Sequence, residues 1–418
     1  MPGHLQLFEP SQAAALARLA RINPAAYAQT RNALDGAVTG LSPYFTHGLL
    51  SLPEAARAIH TRHPLSFADK LVFELAWREF FHHVWQHAGD HGDAILRDMH
   101  GSLPWPGTYA TTLPDDIREG RTGVPAIDTA VRTLYATGYL HNHARMWLAS
   151  YVVHLRKVHW RAGADWLYGH LLDGDLPSNH LSWQWVAATF SGKPYLFNAE
   201  NVLKYAPSAA HSAWASPHTV LDTSYEALDD MARRRGGVGP ERGEHLGVTE
   251  PELSGTLPDG QKASNEGYLQ ALALVLQGHL AIKNIAKIGG SSIELIHPWA
   301  LSPRTAREDQ DVFRVGVIHL PAHARWPWSA RRWDFMLRAM TQATDVVWVG
   351  DLNLIELPAN CPVTAQATQF PGYREALGRL ATLTPVPRLL PSPTMLCRSF
   401  SKFYSRVQRD GLALGDLL

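Results

Sequence analysis

The stretch that decides the fold of this chain reads GRTGVPAIDTAVRTLYATGYLHNHARM at residues 120–146 and DWLYGHLLDGDLPSNHLSWQW at residues 165–185. The first segment places Arg145 in apolar sequence, and the second places Asp173 and Asp175 in similar surroundings. Charges in such surroundings must be paired or must serve a ligand, because removal from water disfavours an isolated charge. The residues by themselves leave open an ordinary buried ion pair and a ligand site.

Outward from this stretch, residues 1 to about 225 predict helices joined by Pro and Gly turns. Ser11 is a plausible N-cap for the apolar helical spacing that follows it. The segment 67–89 carries apolar residues on most faces, which is typical of a buried helix. Further helices are predicted at 128–140, 143–159, 165–172 and 179–190.

A different composition begins at about residue 233. Residues 233–262 are rich in Gly, Pro and charge and have no apolar period, which predicts a long loop or linker. Beyond it, the pattern predicts a helix at 265–287, strands at 313–320 and 344–351, and helices after each strand. This alternation indicates a small Rossmann-like α/β domain. The domain lacks a G-x-G-x-x-G motif, so the sequence does not indicate a nucleotide site there.

The expected fold class is therefore mostly α, with a helical domain followed by a small α/β domain. We predict the helical domain over 1–232, the linker over 233–262, and a helix plus α/β domain over 263–418.

Composition narrows the class of protein without naming a partner. Lys plus Arg and Asp plus Glu both total 38, so bulk charge does not argue for nucleic acid, although a local basic face would suffice. Cys361 and Cys397 cannot complete an iron–sulfur cluster or a structural zinc site by themselves. The sequence shows no long apolar run and no signal-peptide pattern at its start, so we expect a cytoplasmic protein without a membrane span.

Two shorter segments carry further candidate binding residues. In residues 38–43, the hydroxyls of Thr39 and Ser42 flank a Gly near a helix start, which suits a phosphate or a simple helix cap. In ELAWREF, Glu74 and Arg78 lie four apart on one helix face. Such a pair is usually an exposed salt bridge, but the apolar neighbours favour a buried role.

Together these segments resemble the FAD-binding signature of DNA photolyases and cryptochromes. The resemblance rests on the two opening segments, on Tyr27 and Arg31, on TGLSPY at 39–44 and on ELAWREF, and it covers about residues 25–205. It implies a helical domain that holds FAD in a U-shape, with the adenine folded near the flavin ring.

The resemblance also implies roles for individual residues. The phosphate and ribityl side would be lined by Tyr27, Arg31, Thr39, Leu41 and Ser42, and the pocket would be flanked by Glu74, Trp77 and Arg78. Asn142 and Asn179 would lie near the flavin N5 edge. Arg145 and Asp173 would form an ion pair over the ring, and Asp175 would meet the polar edge of the ring or the ribityl chain. A buried cation there favours an anionic reduced flavin.

Two tryptophans match the electron-transfer chain of the family. Trp183 and Trp160 correspond to its first two members, although core packing is the ordinary role of a tryptophan. The third, surface member is not obvious, and Trp105 and Tyr109 are candidates.

The residues that would contact a cyclobutane pyrimidine dimer are present. Glu74 would hydrogen-bond the dimer bases, Trp77 and Trp185 would stack against them, and Asn142 and Met146 would complete the pocket. Met146 stands where (6-4) photolyases have His. The resemblance therefore implies light-driven repair of UV-damaged DNA by electron donation from excited reduced flavin.

Several departures keep other functions open. The N-terminal antenna domain of typical photolyases is not expected. His143 replaces an expected Arg, and Leu196 lies in a stretch that usually bears an Arg. These two replacements imply fewer contacts to DNA phosphates. A cryptochrome-like blue-light photoreceptor with a signalling partner, or a flavoenzyme acting on a small molecule, are the alternatives. We do not expect an antenna chromophore in the C-terminal domain, nor a metal at the His83/His87/His91 spacing.

Overall fold

The structure is a computed structural model that describes residues 8–206, 211–254, 292–303, 312–408 and 413–418. The predicted helix at 265–287 lies outside these residues. In chain order the α-helices are α1 Gln12–Leu19, α2 Pro24–Thr30, α3 Ser42–Thr46, α4 Leu52–His60, α5 Lys70–His87, α6 Asp115–Arg118, α7 Pro125–Thr137, α8 Asn142–Ser150, α9 Trp160–His170, α10 Leu176–Ala187, α11 Ala199–Tyr205, α12 His211–Trp214, α13 Tyr225–Arg233, α14 Leu320–Arg325, α15 Ala330–Ala343, α16 Tyr373–Leu380, α17 Phe400–Val407 and α18 Leu414–Leu417.

Strands and irregular helical turns complete the secondary structure. The strands are β1 Leu253–Ser254, β2 Ser292–Ile296, β3 Val312–His319, β4 Trp328–Ser329, β5 Val346–Gly350, β6 Val363–Gln366 and β7 Thr382–Thr384. Short 3₁₀ helices span Asp90–Leu96, Pro106–Thr108 and Leu352–Leu354, and one π-helical turn spans Tyr151–Leu155.

The chain divides into two compact units that interleave along the sequence. Of the described residues, the first unit takes those within Asn23–Val38 and Asp93–Pro251, and the second takes those within Phe8–Ile22, Thr39–Gly92 and Glu252–Leu418. This division differs from the predicted ranges, which placed all of 1–232 in one domain. The reason is that residues 39–92 have their packing partners in the C-terminal part of the chain, far away in sequence.

The first unit is helical, and its core lies between α7, α8, α9 and α10. Helix α7 begins with Pro125 in its first turn and ends at Gly138, whose φ of 68° is the left-handed conformation that favours glycine. Fully buried side chains, among them Trp147 and Trp160, fill the space between these helices. Burial of such large aromatic rings is the main stabilising contribution here.

The helix predicted at 143–159 ends four residues early, because residues 156–159 are not helical. Helix α8 passes into the π-helical turn, and the backbone then breaks at Lys157, which has a φ of 51°. The Lys157 ammonium donates to the carbonyl oxygens of Met231 and Ala232 at 2.9 and 2.7 Å. A new helix begins at Trp160. These tertiary hydrogen bonds hold a backbone conformation that local propensity disfavours.

The Gly- and Pro-rich segment 236–250 forms backbone hydrogen bonds with other segments of the first unit. The backbone N–H groups of Val238, Glu241 and Val248 donate to the carbonyl oxygens of Leu155, Thr122 and Glu119 at 2.8, 2.8 and 2.7 Å. Near its end, Glu250 accepts from Arg118 at 2.6 Å. This part of the predicted linker therefore has a fixed course over the helices, although it contains no regular element.

In the second unit, α5 packs against the C-terminal helix α17. The ring of Trp77 stacks on Phe400 at 4.0 Å with an interplanar angle of 10°. Glu79, which is 4% exposed, accepts from the backbone N–H of Leu389 at 2.9 Å. Burial raises the pKa of this carboxyl despite the backbone hydrogen bond.

A parallel five-stranded sheet forms the α/β part of the second unit, in the order β5-β3-β2-β6-β7. Ile293 of β2 lies opposite Phe313 of β3 and Val363 of β6. The predicted strands at 313–320 and 344–351 correspond to β3 and β5, whereas β2, β6 and β7 were not predicted. The fold class, a helical domain plus a small α/β domain, is confirmed.

Aromatic and histidine side chains contact one another just after the carboxyl ends of β2 and β6, the edge at which open α/β sheets generally bind ligands. Trp299 stacks on Phe370 at 4.1 Å, and His297 Nε2 lies 3.0 Å from the carbonyl oxygen of Gln366. Burial lowers the pKa of His297 to about 4, so this ring is neutral at pH 7.

Candidate functional site

A buried ion pair between Arg145 and Asp173 is the centre of the candidate site in the first unit. Arg145 lies on α8, and its Nη2 donates to Asp173 Oδ1 and Oδ2 at 2.9 and 2.7 Å. Its Nε donates to the carbonyl oxygen of Leu140 at 2.8 Å. The Asp173 side chain is 3% exposed and that of Arg145 is 23% exposed. The predicted pairing of these two residues is present, and it holds the guanidinium in one orientation.

Asp175 and Asn179 lie at the start of α10. Asp175 is the N-cap of the helix and accepts from Ser178 through both the backbone N–H, at 3.3 Å, and the hydroxyl. Asn179 Nδ2 donates to the carbonyl oxygen of Ala164 at 2.8 Å. The capping role of Asp175 was missed, although Asp followed by Leu-Pro-Ser is a recognisable helix start.

The first turn of α8 carries the next predicted residues. Asn142 is exposed, and its Nδ2 lies 3.4 Å from Met146 Sδ. His141 Nδ1 accepts from the backbone N–H of His143, so its Nε2 carries the proton and donates to the Arg31 carbonyl oxygen at 3.0 Å. Burial, with a smaller effect of His143, lowers the pKa of His141 to about 4. A neutral His141 thereby connects α8 to the end of α2, the helix that carries Tyr27.

The two predicted electron-transfer tryptophans both meet α9. Trp160 is the first residue of α9 and is fully buried. Trp183 lies on α10, and its ring covers Gly163 of α9. The Trp160 Nε1–H donates to Asp98 Oδ1 at 2.7 Å. Sequence reasoning missed Asp98, because a carboxylate 62 residues before the tryptophan gives no local signal.

Three other aromatic residues differ in their access to solvent. Trp185 is 36% exposed and lies 5.9 Å from the Tyr195 ring. Of the two candidates for a third electron-transfer residue, Trp105 is 56% exposed, whereas Tyr109 is buried. Burial raises the pKa of Tyr109 to about 12. Only Trp105 of this pair is therefore at a surface.

Six predicted site residues belong to the second unit. Thr39 Oγ1 accepts from the backbone N–H of Leu41 at 3.3 Å, and Leu41 itself is buried directly before α3, which begins at Ser42. On α5, Glu74, Trp77 and Arg78 are half-buried. Because Trp77 has one ring face on Phe400, only its other face remains for the predicted stacking role. The first unit thus brings together the residues on α8, α9 and α10, but it does not contain these six.

The residues of the first unit fit a flavin. A flavin ring has a polar edge of carbonyl and nitrogen atoms beside a large apolar surface. Arg145 supplies a cation oriented by Asp173, and Asn142 and Asn179 supply amide groups. The same helices contribute an apolar aromatic core. Bound FAD would therefore be held by Arg145 and the two amides.

Comparison with known proteins identifies the segment. Residues 71–210 match the family model described as the FAD binding domain of DNA photolyase. A deoxyribodipyrimidine photo-lyase of Thermus thermophilus is 40% identical over 56% of this chain and 57% of its own length. One from Synechococcus is 34% identical over 43% of this chain and 39% of its own. A cryptochrome DASH of Gloeobacter violaceus is 31% identical over 43% of this chain and 37% of its own.

The matched residues form an FAD-binding domain of the photolyase type. The segment therefore has the FAD-binding domain of the photolyase/cryptochrome family, as the sequence resemblance predicted. The chain spans 37–57% of the length of the three curated relatives. A solved cryptochrome from Synechocystis aligns at 23% identity over 55% of this chain and 52% of its own, with a TM-score of 0.44.

The residues that the structure describes contain neither a metal-binding cluster nor a membrane-spanning helix. Within them, no three His, Cys, Asp or Glu side chains are grouped to hold a metal ion. Nor does any helix among them combine the length and apolar character needed to cross a bilayer.

The contact between Gly163 and Trp183 yields a stability prediction. Replacing a helical glycine by alanine ordinarily stabilises a helix by about 0.5–1 kcal/mol. At Gly163, however, a Cβ atom would lie 2.3 Å from two carbons of the buried Trp183 ring. Overpacking of this kind costs about 1–3 kcal/mol, so we expect Gly163→Ala to lower the free energy of unfolding in urea titrations.

The matched control is Gly378→Ala in α16, where a Cβ meets no atom within 4 Å. That substitution is expected to leave stability unchanged or raise it. A Gly163→Ala protein as stable as the wild type would show that the Trp183 ring is free to move.

Proposed function

We propose that this protein is an FAD-dependent, light-driven enzyme that splits cyclobutane pyrimidine dimers in DNA. The observation that carries the proposal is that α8 and α10, which carry three of the positions predicted to contact the dimer, pack against each other. Trp185 presents an exposed ring on α10, and Asn142 and Met146 lie on the first turns of α8. An exposed aromatic ring can stack on an unstacked base, and a polar side chain can hydrogen-bond its edge.

Different residues of the chain would bind the damaged bases, stabilise negative charge on the flavin and supply electrons to it. FAD, when bound, supplies the light-absorbing electron donor. Arg145, held by Asp173, stabilises negative charge on the adjacent ring. Trp185 stacks against the damaged bases, and the Asn142 amide donates a hydrogen bond to them. Trp183 and Trp160 would pass electrons inward toward the bound cofactor.

The names of the relatives support this proposal. Relatives called deoxyribodipyrimidine photo-lyase are 29–40% identical to this chain. They are matched over only part of their length, so the activity requires a direct test.

The test is a repair assay on the purified protein with FAD bound and reduced. UV-irradiated single- and double-stranded DNA is added, and cyclobutane dimers are counted before and after illumination. Loss of dimers only in the light supports the proposal. Undiminished dimers, in a sample whose flavin is photoreduced normally, would contradict it.

A second candidate function is a cryptochrome-like photoreceptor without repair activity. His143, which replaces an expected arginine, is half-buried with its ring 4.5 Å from that of Tyr205. Burial, with a smaller contribution from Arg31, lowers the pKa of His143. A neutral imidazole neutralises no phosphate, which favours weak DNA binding. Light-induced flavin reduction without DNA binding or repair would support this candidate.

The same residue gives a prediction about DNA affinity. Replacing His143 with Arg adds one permanent positive charge at the predicted phosphate position. We expect tighter binding of UV-damaged duplex DNA, and a plot of log affinity against log salt steeper by about 0.9. Binding is measured by fluorescence anisotropy at several salt concentrations.

His143→Gln, which stays neutral, is the control and should leave the salt slope unchanged. If His143→Arg also leaves it unchanged, position 143 does not face a phosphate.

A further inference from the structure

The indole of Trp160 has an unusual hydrogen-bond partner for a buried ring. Trp160 is 0% exposed, and its Nε1–H donates to a carboxylate oxygen, Asp98 Oδ1, at 2.7 Å. Asp98 itself is exposed, two residues beyond the 3₁₀ helix Asp90–Leu96. A single side chain therefore connects the indole nitrogen of a buried tryptophan to solvent.

The other charged groups around this ring are engaged elsewhere. Asp165 accepts from Arg161 at 2.7 Å and is 2.8 Å from His180 Nε2. The rings of His159 and His180 lie 5.5 and 6.4 Å from that of Trp160. Burial lowers the pKa of His159, opposed by the nearby carboxylate of Asp98. Asp98 is thus the base in contact with the indole N–H.

We propose that Asp98 accepts the indole proton of Trp160 when this ring gives up an electron. The inference rests on the proposed function, in which Trp183 passes an electron toward the flavin and is refilled from Trp160. Oxidation makes an indole N–H far more acidic, so the proton crosses the 2.7 Å hydrogen bond to the carboxylate. Trp160 becomes a neutral radical, and Asp98 releases the proton to water.

Atoms and charges balance over the cycle. Trp160 loses one electron, to Trp183, and one proton, to Asp98. A thiol reductant from solution later supplies one electron, and water supplies one proton through Asp98. Because the neutral radical no longer carries the positive charge, return of the electron to Trp160 must be coupled to return of the proton.

Trp105 offers an instructive contrast. Its Nε1–H donates to the backbone carbonyl oxygen of Arg233 at 2.9 Å. A carbonyl oxygen accepts a hydrogen bond but is far too weak a base to keep the proton. With Asp98 as its base, Trp160 can therefore remain as a neutral radical inside the protein, and no further aromatic residue at the surface is needed to carry the oxidation.

The test compares the wild type with Asp98→Asn, whose amide oxygen can still accept the indole hydrogen bond but cannot take the proton. Transient absorption after a light pulse, on protein with oxidised FAD, distinguishes the neutral tryptophan radical from its protonated cation. We expect the neutral radical in the wild type and the cation in Asp98→Asn. Electron return in the variant should be faster by at least about tenfold, equivalent to about 1.4 kcal/mol.

Two further variants exclude a general effect of charge or packing. Asp165→Asn removes a carboxylate from α9 that bonds Arg161 and His180 rather than the indole, and it should retain the neutral radical. Asp98→Glu keeps a carboxylate at position 98 and should give the neutral Trp160 radical, unlike Asp98→Asn. In apoprotein, the Trp160 indole resonance should move on acidification in the wild type and stay in place in Asp98→Asn, which tests the contact without FAD.

The outcomes separate the inference from the function on which it rests. Neutral radical with equal kinetics in the wild type and Asp98→Asn overturns the role of Asp98, while the electron path through Trp160 stands. No tryptophan radical in either protein overturns the path and, with it, the inference.

Discussion

Asp173→Ala is expected to abolish tight FAD binding and to lower the free energy of unfolding by about 3–5 kcal/mol, the range for breaking a buried ion pair. The substitution leaves the Arg145 guanidinium, 23% exposed, without its counter-charge. That residual exposure lets water reach the cation and places the expected loss near the lower end of the range. Urea unfolding measures the stability, and flavin fluorescence on dilution measures FAD release.

The control for this prediction is Asp229→Ala. Asp229 pairs with Arg233 four residues later on α13, and the Arg233 side chain is 67% exposed. An exposed pair of this kind contributes only about 0.3–0.5 kcal/mol, so this variant should retain both stability and FAD. A loss as small for Asp173→Ala would mean that the buried pair is dispensable.

Trp183→Phe should slow light-driven flavin reduction at least about tenfold, equivalent to about 1.4 kcal/mol in the barrier. Phenylalanine fills most of the same space over Gly163 but is much harder to oxidise than tryptophan. The rate is followed as bleaching of flavin absorbance under blue light with a thiol reductant.

Trp166→Phe is the matched control. Trp166 is also buried in the first unit, on α9, and donates its indole N–H to the hydroxyl of Tyr135. Its loss removes a tryptophan of similar burial outside the predicted chain and should leave the rate unchanged. Equal rates for the wild type and Trp183→Phe would overturn the electron-transfer role of Trp183.

Local patterns in the sequence predicted several features of both units. The Ser11 cap and the buried helix α5 appear as expected. The charges in apolar sequence indicated a buried ion pair or a ligand site, and the family resemblance implied the pairing of Arg145 with Asp173 that the structure contains. Each of these features depends on neighbouring residues or on the general cost of burying a charge, both of which a sequence displays directly.

Prediction failed where distant segments supply the stabilisation. The break after α8 depends on Lys157 bonding to the end of α13, and strands β2 and β6 are short segments stabilised by pairing with each other and with β3. The separation of residues 39–92 from the rest of the predicted helical domain likewise reflects contacts such as that of Trp77 with Phe400.

The sequence alone indicated the FAD-binding domain and its cofactor and predicted the residues that would hold FAD, because the motifs between Gly120 and Trp185 lie close together in the chain. Tertiary structure decided which base touches Trp160, how Trp77 is used and which segments form each compact unit. Contacts of this kind join residues far apart in the chain, as with the 62 positions between Asp98 and Trp160. Such pairs meet only when the packing of the whole core repays the entropy of closing the chain between them.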